Sequence, residues 1–418
     1  MAAPIDIALL RAWWASRQGL DGSLSSSASA EVLERTGWAR SVGGTGPYLT
    51  LHARAGLSRP AVDADVAALK IHELPAARGC TYVCPASHFA LALAAGRAVA
   101  TGADRKLALK LGATEKELEK LTAAVLAALK AGPFDPEQIK LALGGAVRSV
   151  GDEGKKKGLT TSLPVVLGEL QSSGRIRRIP INGRLDQQRY RYALWHPNPC
   201  SGFKLSQEEC ATSIARLYWG WIGPAALAEF QWFSGFGVKV AKQAIEPLHL
   251  VATEFQWFSG FGVKVAKQAI EPLHLVAMEP GSDRLILPAD LDSLRAFKPP
   301  KEPSYALVSS IDALMLLRRN VSDLLDQSDR EIKLIAGVAD LPSHAIVDRG
   351  RIIGLWEYDT GREEIVWMTF EEAPAALHAE IARVAGFIRA DLGDARSFSL
   401  DSPKSRSSRI TALRKLQA

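Results

Sequence analysis

At 418 residues the chain is too long for one ordinary core and implies roughly two to four domains. With 47% apolar and 23% charged residues it is globular rather than disordered, and no apolar run is long enough for a membrane span. Four cysteines are too few for a disulfide scaffold, and the net charge of +6 makes a polyanion the partner to consider.

Ile5 to Gln18 reads as an opening helix. Asp6, Arg11 and Arg17 interrupt its apolar stretch, so it belongs to the fold rather than to a signal peptide, and the cytoplasm is the expected compartment. Ala30 to Arg35 and Arg59 to Leu69 are further helices, Ile71 to Cys84 a hairpin, and His88 to Ala95 a return helix. Cys80, Cys84 and His88 are spaced like a crude metal set. The extended Thr81-Tyr82-Val83 between them and the missing fourth ligand argue for structural residues, so neither metal nor cofactor is expected.

A second unit is clearer. Leu121, Val125, Leu126 and Leu129 repeat at helical spacing, and Gly132-Pro133 ends that helix. Pro136 to Leu143 and Leu163 to Ser172 follow as helices, the latter preceded by N-capping residues Thr160-Thr161-Ser162. Arg175 to Ile181, an Asn182-Gly183 turn and Gln188 to Leu194 then form a hairpin. Helix, helix, helix and hairpin is the winged-helix plan. Between Gly145 and Trp195 ten basic side chains stand against four acids, the footprint of a polyanion partner. Arg175, Arg177, Arg178, Arg184, Arg189, Arg191 and the run Lys155, Lys156, Lys157 are the candidate phosphate contacts.

A third unit has helices at Ala211 to Trp219, Pro224 to Phe233 and Val238 to Ile245, and a strand pair ending in Arg284 to Pro288. Within it, Glu229 to Ala252 recurs unchanged as Glu254 to Ala277, which reads as a recent tandem duplication. Only one copy fits the turn, recognition helix and first wing strand. The other is expected to stack beside it or bulge out under strain.

From Tyr305 the pattern changes to short strands: Ala306 to Val308, Ala345 to Val347, Arg351 to Tyr358 and Glu364 to Thr369, with turns at Asp348-Arg349-Gly350 and Asp359-Thr360-Gly361. A helix from Ala373 to Leu392 follows, then a Ser- and Arg-rich tail. The tail adds five basic residues and no acid between Lys404 and Lys415. The expected fold is α+β and mainly helical. Winged helices occupy 1–100, 105–198 and 204–300, a small barrel-like domain occupies 303–395, and the basic tail occupies 396–418.

Five segments carry a family resemblance, in this order: Leu10-Arg11-Ala12-Trp13, Ala77 to Val83, Tyr218 to Ala225, Leu307 to Asp312, and Ile346 to Trp356. In these the chain resembles the AlkZ/YcaQ-like DNA glycosylases. The resemblance implies a C-shaped array of three winged helices with a C-terminal barrel, and excision of alkylated purines or unhooking of crosslinks. Active members carry a glutamine, one residue, then glutamine or aspartate shortly after the second helix. The corresponding stretch here, Thr36 to Gly44, holds no Gln, Asp or Glu.

Hydrolysis of a glycosidic bond passes through an oxocarbenium-like state that a carboxylate or a positioned water stabilises. Asp312, at a family position ending a strand, is the remaining candidate; otherwise it is a structural Asp capping a turn. Ser41, Gly43 and Gly44 suit a loop close to the DNA backbone, and Arg40 a phosphate or lesion contact. Arg349 and Arg351 of the last hairpin join the DNA-binding set. Trp38 and Tyr48 read as base-stacking or core aromatics, and His52 as a satisfied, half-buried histidine. The reading is a monomeric binder of double-stranded DNA that acts as a glycosylase, or a catalytically silent lesion sensor or regulator. A module for protein contacts alone fits the arginine-rich wing poorly.

Overall fold

The structure is a computed structural model that describes residues 5–99, 102–187, 189–245, 275–331 and 341–417. It is a mixed α/β fold of many helices and small antiparallel sheets.

After α1 (Ile7–Arg17), a similar succession of elements occurs three times, the second time with one helix more. In the first unit α2 (Ser29–Thr36) leads to β1 (Ala39–Arg40), α3 (Gly46–Ala55), α4 (Arg59–Ala67), β2 (Ile71–Pro75) and β3 (Thr81–Pro85). The short strand pairs with the last one, giving the order β1-β3-β2. Helices α5 (Phe89–Val99) and α6 (Ala103–Lys110) lead to the second unit. There α7 (Glu115–Ala128), α8 (Pro136–Leu143), α9 (Gly151–Lys156) and α10 (Leu163–Ser172) precede the hairpin β4 (Ile176–Pro180) and β5 (Tyr190–Leu194). An isolated bridge from Phe134 to Tyr192 supplies the short strand's equivalent. The third unit runs α11 (Gln207–Ile222), β6 (Ala225–Ala226), α12 (Leu227–Ser234), α13 (Val238–Ile245), β7 (Val276–Ala277) and β8 (Arg284–Ile286), again in the order β6-β8-β7.

Local sequence sets the helix starts. Thr114, Asp135 and Ser206 each accept a hydrogen bond from the backbone N–H three residues on, and Glu117, Gln138 and Glu209 reach back to the capping residue's own N–H. These are capping boxes at α7, α8 and α11, each satisfying backbone donors that have no helical partner.

Past α14 (Pro288–Ala296) come β9 (Tyr305–Val308), the single-turn α15 (Ala313–Leu316), β10 (His344–Asp348), β11 (Arg351–Asp359) and β12 (Glu364–Thr369). They form an open antiparallel sheet in the order β12-β11-β10-β9. The expected barrel is therefore corrected: among the described residues the ends β12 and β9 do not pair. The β10–β11 turn needs positive φ at Arg349 (45°) and Gly350 (81°), and Gly350 also lies against the Arg11 backbone, where a side chain has no room. Two helices finish the chain, α16 (Ala375–Phe387) and α17 (Pro403–Gln417). The segment expected to be a tail is thus a helix.

The cores cross the expected boundaries. Trp13 and Trp14 of α1, Trp219 and Phe230 of the third unit, and Val308 and Leu355 of the C-terminal sheet share one apolar cluster. Leu33 and Leu51 of the first unit share another with Trp356 and Ile381. The second unit keeps its own core around Leu121, Val166 and Ile176.

The duplication is divided between its copies. The first supplies α12 from Glu229 onward and α13, while the strand β7 comes from the last residues of the second. The strain expected of the surplus copy falls on residues 246–274, outside the described ones.

Candidate nucleic-acid interface and cleft

Asp312, the expected catalytic carboxylate, is fully buried. Its Oδ1 accepts from Arg54 Nη2 at 2.7 Å and from the Leu314 N–H at 2.9 Å; its Oδ2 accepts from Arg54 Nη1 at 2.8 Å and from Thr50 Oγ1 at 2.9 Å. Those four bonds use the acceptor capacity of a carboxylate. Burial alone would raise its pKa, but the Arg54 charge and these bonds outweigh burial and hold it below the usual value of 3.8. Arg54 also donates to Gln18 Oε1, and Gln18 donates to the carbonyls of Thr36 and Trp221. The cluster ties α1, the first and third units and the C-terminal domain together, and leaves Asp312 no contact with a solvent-filled site.

Several predicted phosphate contacts are likewise engaged inside the protein. Arg349 pairs with Asp348, and Arg351 with Asp326, Asp329 and Glu371. Arg184 pairs with Asp186 and donates to the Leu392 carbonyl. Arg40 lies over the Tyr82 ring, 5.2 Å from its centroid, and donates to the Thr81 carbonyl. Lys155 of α9 and Lys157 just after it meet Asp152 and Glu153, beside exposed Lys156. Arg175, Arg189 and Arg191 remain exposed on the second hairpin, with no ion pair among the described residues. Arg177 is half-buried on the opposite face of that hairpin from Arg178.

Gly44 does approach a backbone closely, but it is the chain's own, at Arg396 and Ser397, and the Gly43 carbonyl accepts from the Arg396 side chain. Trp38 and Tyr48 are core residues. His52 contacts the Leu57 carbonyl and Arg383 and stacks on Phe387 at 3.6 Å; burial and the Arg383 charge lower its pKa to about 4.

Beside the second hairpin lies a cleft of about 710 Å³, within the range of small-molecule sites. Ser41, Val42, Glu73 and Thr81 of the first unit form one wall. Asp135 and Glu137 at the start of α8, with Arg178, Arg189, Tyr190 and Tyr192 of the hairpin, form the other. Ser41 and Val42 belong to the segment where related sequences are expected to carry the Gln motif. Arg178 lies over Tyr190, 5.1 Å from the ring centroid. The Tyr190 hydroxyl donates across the cleft to Glu73 Oε1 at 3.2 Å. Trp195, following β5, packs its ring on His72 at 5.2 Å, so the hairpin is fixed against the first unit. Sequence reasoning missed Glu73 and the two tyrosines. A lone Glu in an apolar strand has no spacing signal, and only the docking of the second unit gives it partners.

The sequence profile of the AlkZ-like DNA glycosylases matches residues 44–254 and 249–387, most of the chain. The chain belongs to the AlkZ-like DNA glycosylase family. The two matched stretches of this AlkZ-like protein overlap inside the duplicated unit, as expected if the family pattern holds one copy. A search among curated protein sequences finds no match. Among solved structures the chain is similar to the DNA glycosylase AlkZ of Streptomyces sahachiroi, at 19% identity and a TM-score of 0.65, covering 92% of this chain and 98% of that one. At that identity the likeness shows a shared fold. Among the described residues no helix of the AlkZ-like chain is long and apolar enough to cross a membrane.

Proposed function

We propose that this AlkZ-like protein acts as a monomer that binds duplex DNA through three winged-helix units and hydrolyses the N-glycosidic bond of an alkylated purine. The observation that carries the reading is the cleft between the family's motif-bearing segment and a hairpin with free arginines. The recurring succession of helix, short strand or bridge, two or three helices and strand pair supports winged helices, in which a recognition helix enters a groove while the wing follows the backbone. Arg175, Arg189 and Arg191 then hold phosphates, which fixes register and affinity without reading sequence. An N7-alkylated purine is already cationic and departs readily, and in the cleft the acids Glu73, Asp135 and Glu137 outnumber the arginines Arg178 and Arg189.

The test is a duplex oligonucleotide carrying one N7-methylguanine, incubated with the protein and treated with alkali to cleave abasic sites. Scission above an unmodified control is expected. Tight binding without scission selects the second reading, a silent DNA-binding relative, which the missing Gln motif favours. Replacing Arg175, Arg189 and Arg191 with Ala is expected to lower the salt slope of DNA binding by about three, one per lost phosphate contact. An unchanged slope removes the hairpin from the interface.

A further inference from the structure

Strand β2 carries two polar side chains in buried positions, His72 and Glu73, and they face opposite ways. His72 packs against the Phe89 and Trp195 rings and Leu74 joins the main apolar cluster, whereas Glu73 between them turns to the other face and lines the cleft. Glu73 is 3% exposed. Its Oε1 accepts from Tyr190, while Oε2 is buried with no hydrogen-bond partner among the described residues. The Ser41 hydroxyl, on the segment that lacks the family's Gln motif, is buried and unpartnered too. A buried acceptor left unsatisfied costs about 1–3 kcal/mol and calls for an explanation, of which a catalytic role is one.

We propose that Glu73 supplies the carboxylate this cleft needs for base excision, in place of the absent Gln motif, with Ser41 and Tyr190 orienting it. The inference rests on the glycosylase reading above. In the reaction the water oxygen bonds to C1′ of the lesion nucleotide and its proton passes to Glu73 Oε2. The C1′–N9 bond breaks, and its electron pair goes to the base, cancelling the charge of the alkylated ring. Until that attack, the carboxylate faces the positive charge growing on the sugar.

Burial raises the Glu73 pKa above its usual 4.5, while the Ser41 hydroxyl, the Arg178 charge and the Tyr190 hydroxyl pull it back. The Ser41 hydroxyl does so without forming a geometrically sound hydrogen bond. Asp135, Glu137 and Arg189 are the other charged groups lining the cleft. Such a carboxyl is a stronger base than an exposed glutamate.

The experiment compares full-length wild type and Glu73→Gln on duplexes carrying a cationic pyrrolidine abasic nucleotide or its neutral tetrahydrofuran counterpart, and on the N7-methylguanine duplex. Wild type is expected to prefer the cationic duplex by about tenfold or more. Glu73→Gln should lose that preference, keep its affinity for the neutral duplex, and excise roughly 10²–10⁴-fold more slowly. No preference in wild type, or an undiminished one in the variant, overturns the proposal. Excision that survives Glu73→Gln overturns it too and leaves the glycosylase reading intact. A preference lost in the variant, with no excision by wild type, upholds Glu73 and sinks the alkylated-purine reading.

Discussion

A carboxylate taken out of water must be paid for in partners, and two residues of this chain meet that demand to different extents. Asp312 has four donors, two of them from a bidentate arginine; Glu73 has one donor and an idle oxygen. Asp312→Ala leaves the buried Arg54 charge without its partner, so unfolding in urea should show a loss of about 3–5 kcal/mol. The pH sign follows from its lowered folded pKa. The stabilisation is complete above the ordinary value near 3.8 and disappears as pH falls through the lower folded one. Glu73 has the opposite sign, because its folded pKa is raised: its charged form costs stability at neutral pH. Glu73→Gln should therefore melt higher than wild type at pH 8, and a lower melting temperature would show that the carboxylate is structural. Tyr190→Phe removes a donor that favours the charged form. The acid limb of excision should then move to higher pH, and an unmoved limb would detach Tyr190 from Glu73. Asp312 was visible in the sequence as an acid ending a strand, but its burial was not, because Arg54 reaches it from a helix 258 positions away.

Among the elements, those with strong local signals were legible and those made by burial were not. The Asn182-Gly183 turn and the box-capped α7 and α8 follow from neighbouring residues, and α10 from its apolar periodicity. Helix α3 escaped notice because all but one of its ten residues are buried, leaving no polar face to mark a helical period. Strands β1 and β6, two residues each, exist only because β3 and β8 pair with them. The duplication allows a direct test at this scale. Because Glu229 to Ala252 and Glu254 to Ala277 are identical, deleting residues 229–253 joins Ala228 to Glu254 and regenerates an uninterrupted single unit. Helices equivalent to α12 and α13 then connect directly to β7. The deletion variant is expected to fold with unchanged far-ultraviolet dichroism per residue and a melting temperature no lower than wild type, since it keeps one complete copy of the repeated sequence. Unfolding of the variant would show that the second copy contributes contacts of its own.

Across the whole molecule, charge counted along the sequence overstated the surface offered to DNA. The run from Lys404 to Lys415 looked like a basic arm, yet helix α17 lies on β11 and β12 with its arginines turned inward. Arg409 donates to Glu357 at 2.6 Å and to Asp401 at 2.7 Å, and both acids are almost wholly buried. Arg414 spans Asp359 and Glu364, Arg406 meets Asp394, and Leu413 is buried beside them. The helix thus closes the C-terminal sheet, which shares its cores with the first and third units. Arg409→Met keeps the length of the side chain but strands two buried carboxylates, which should cost about 3–5 kcal/mol in urea unfolding. The same variant should bind duplex DNA with an unaltered salt slope, because Arg409 touches acids rather than phosphates. A slope lower by about one with stability intact would instead return the C-terminal helix to the DNA interface.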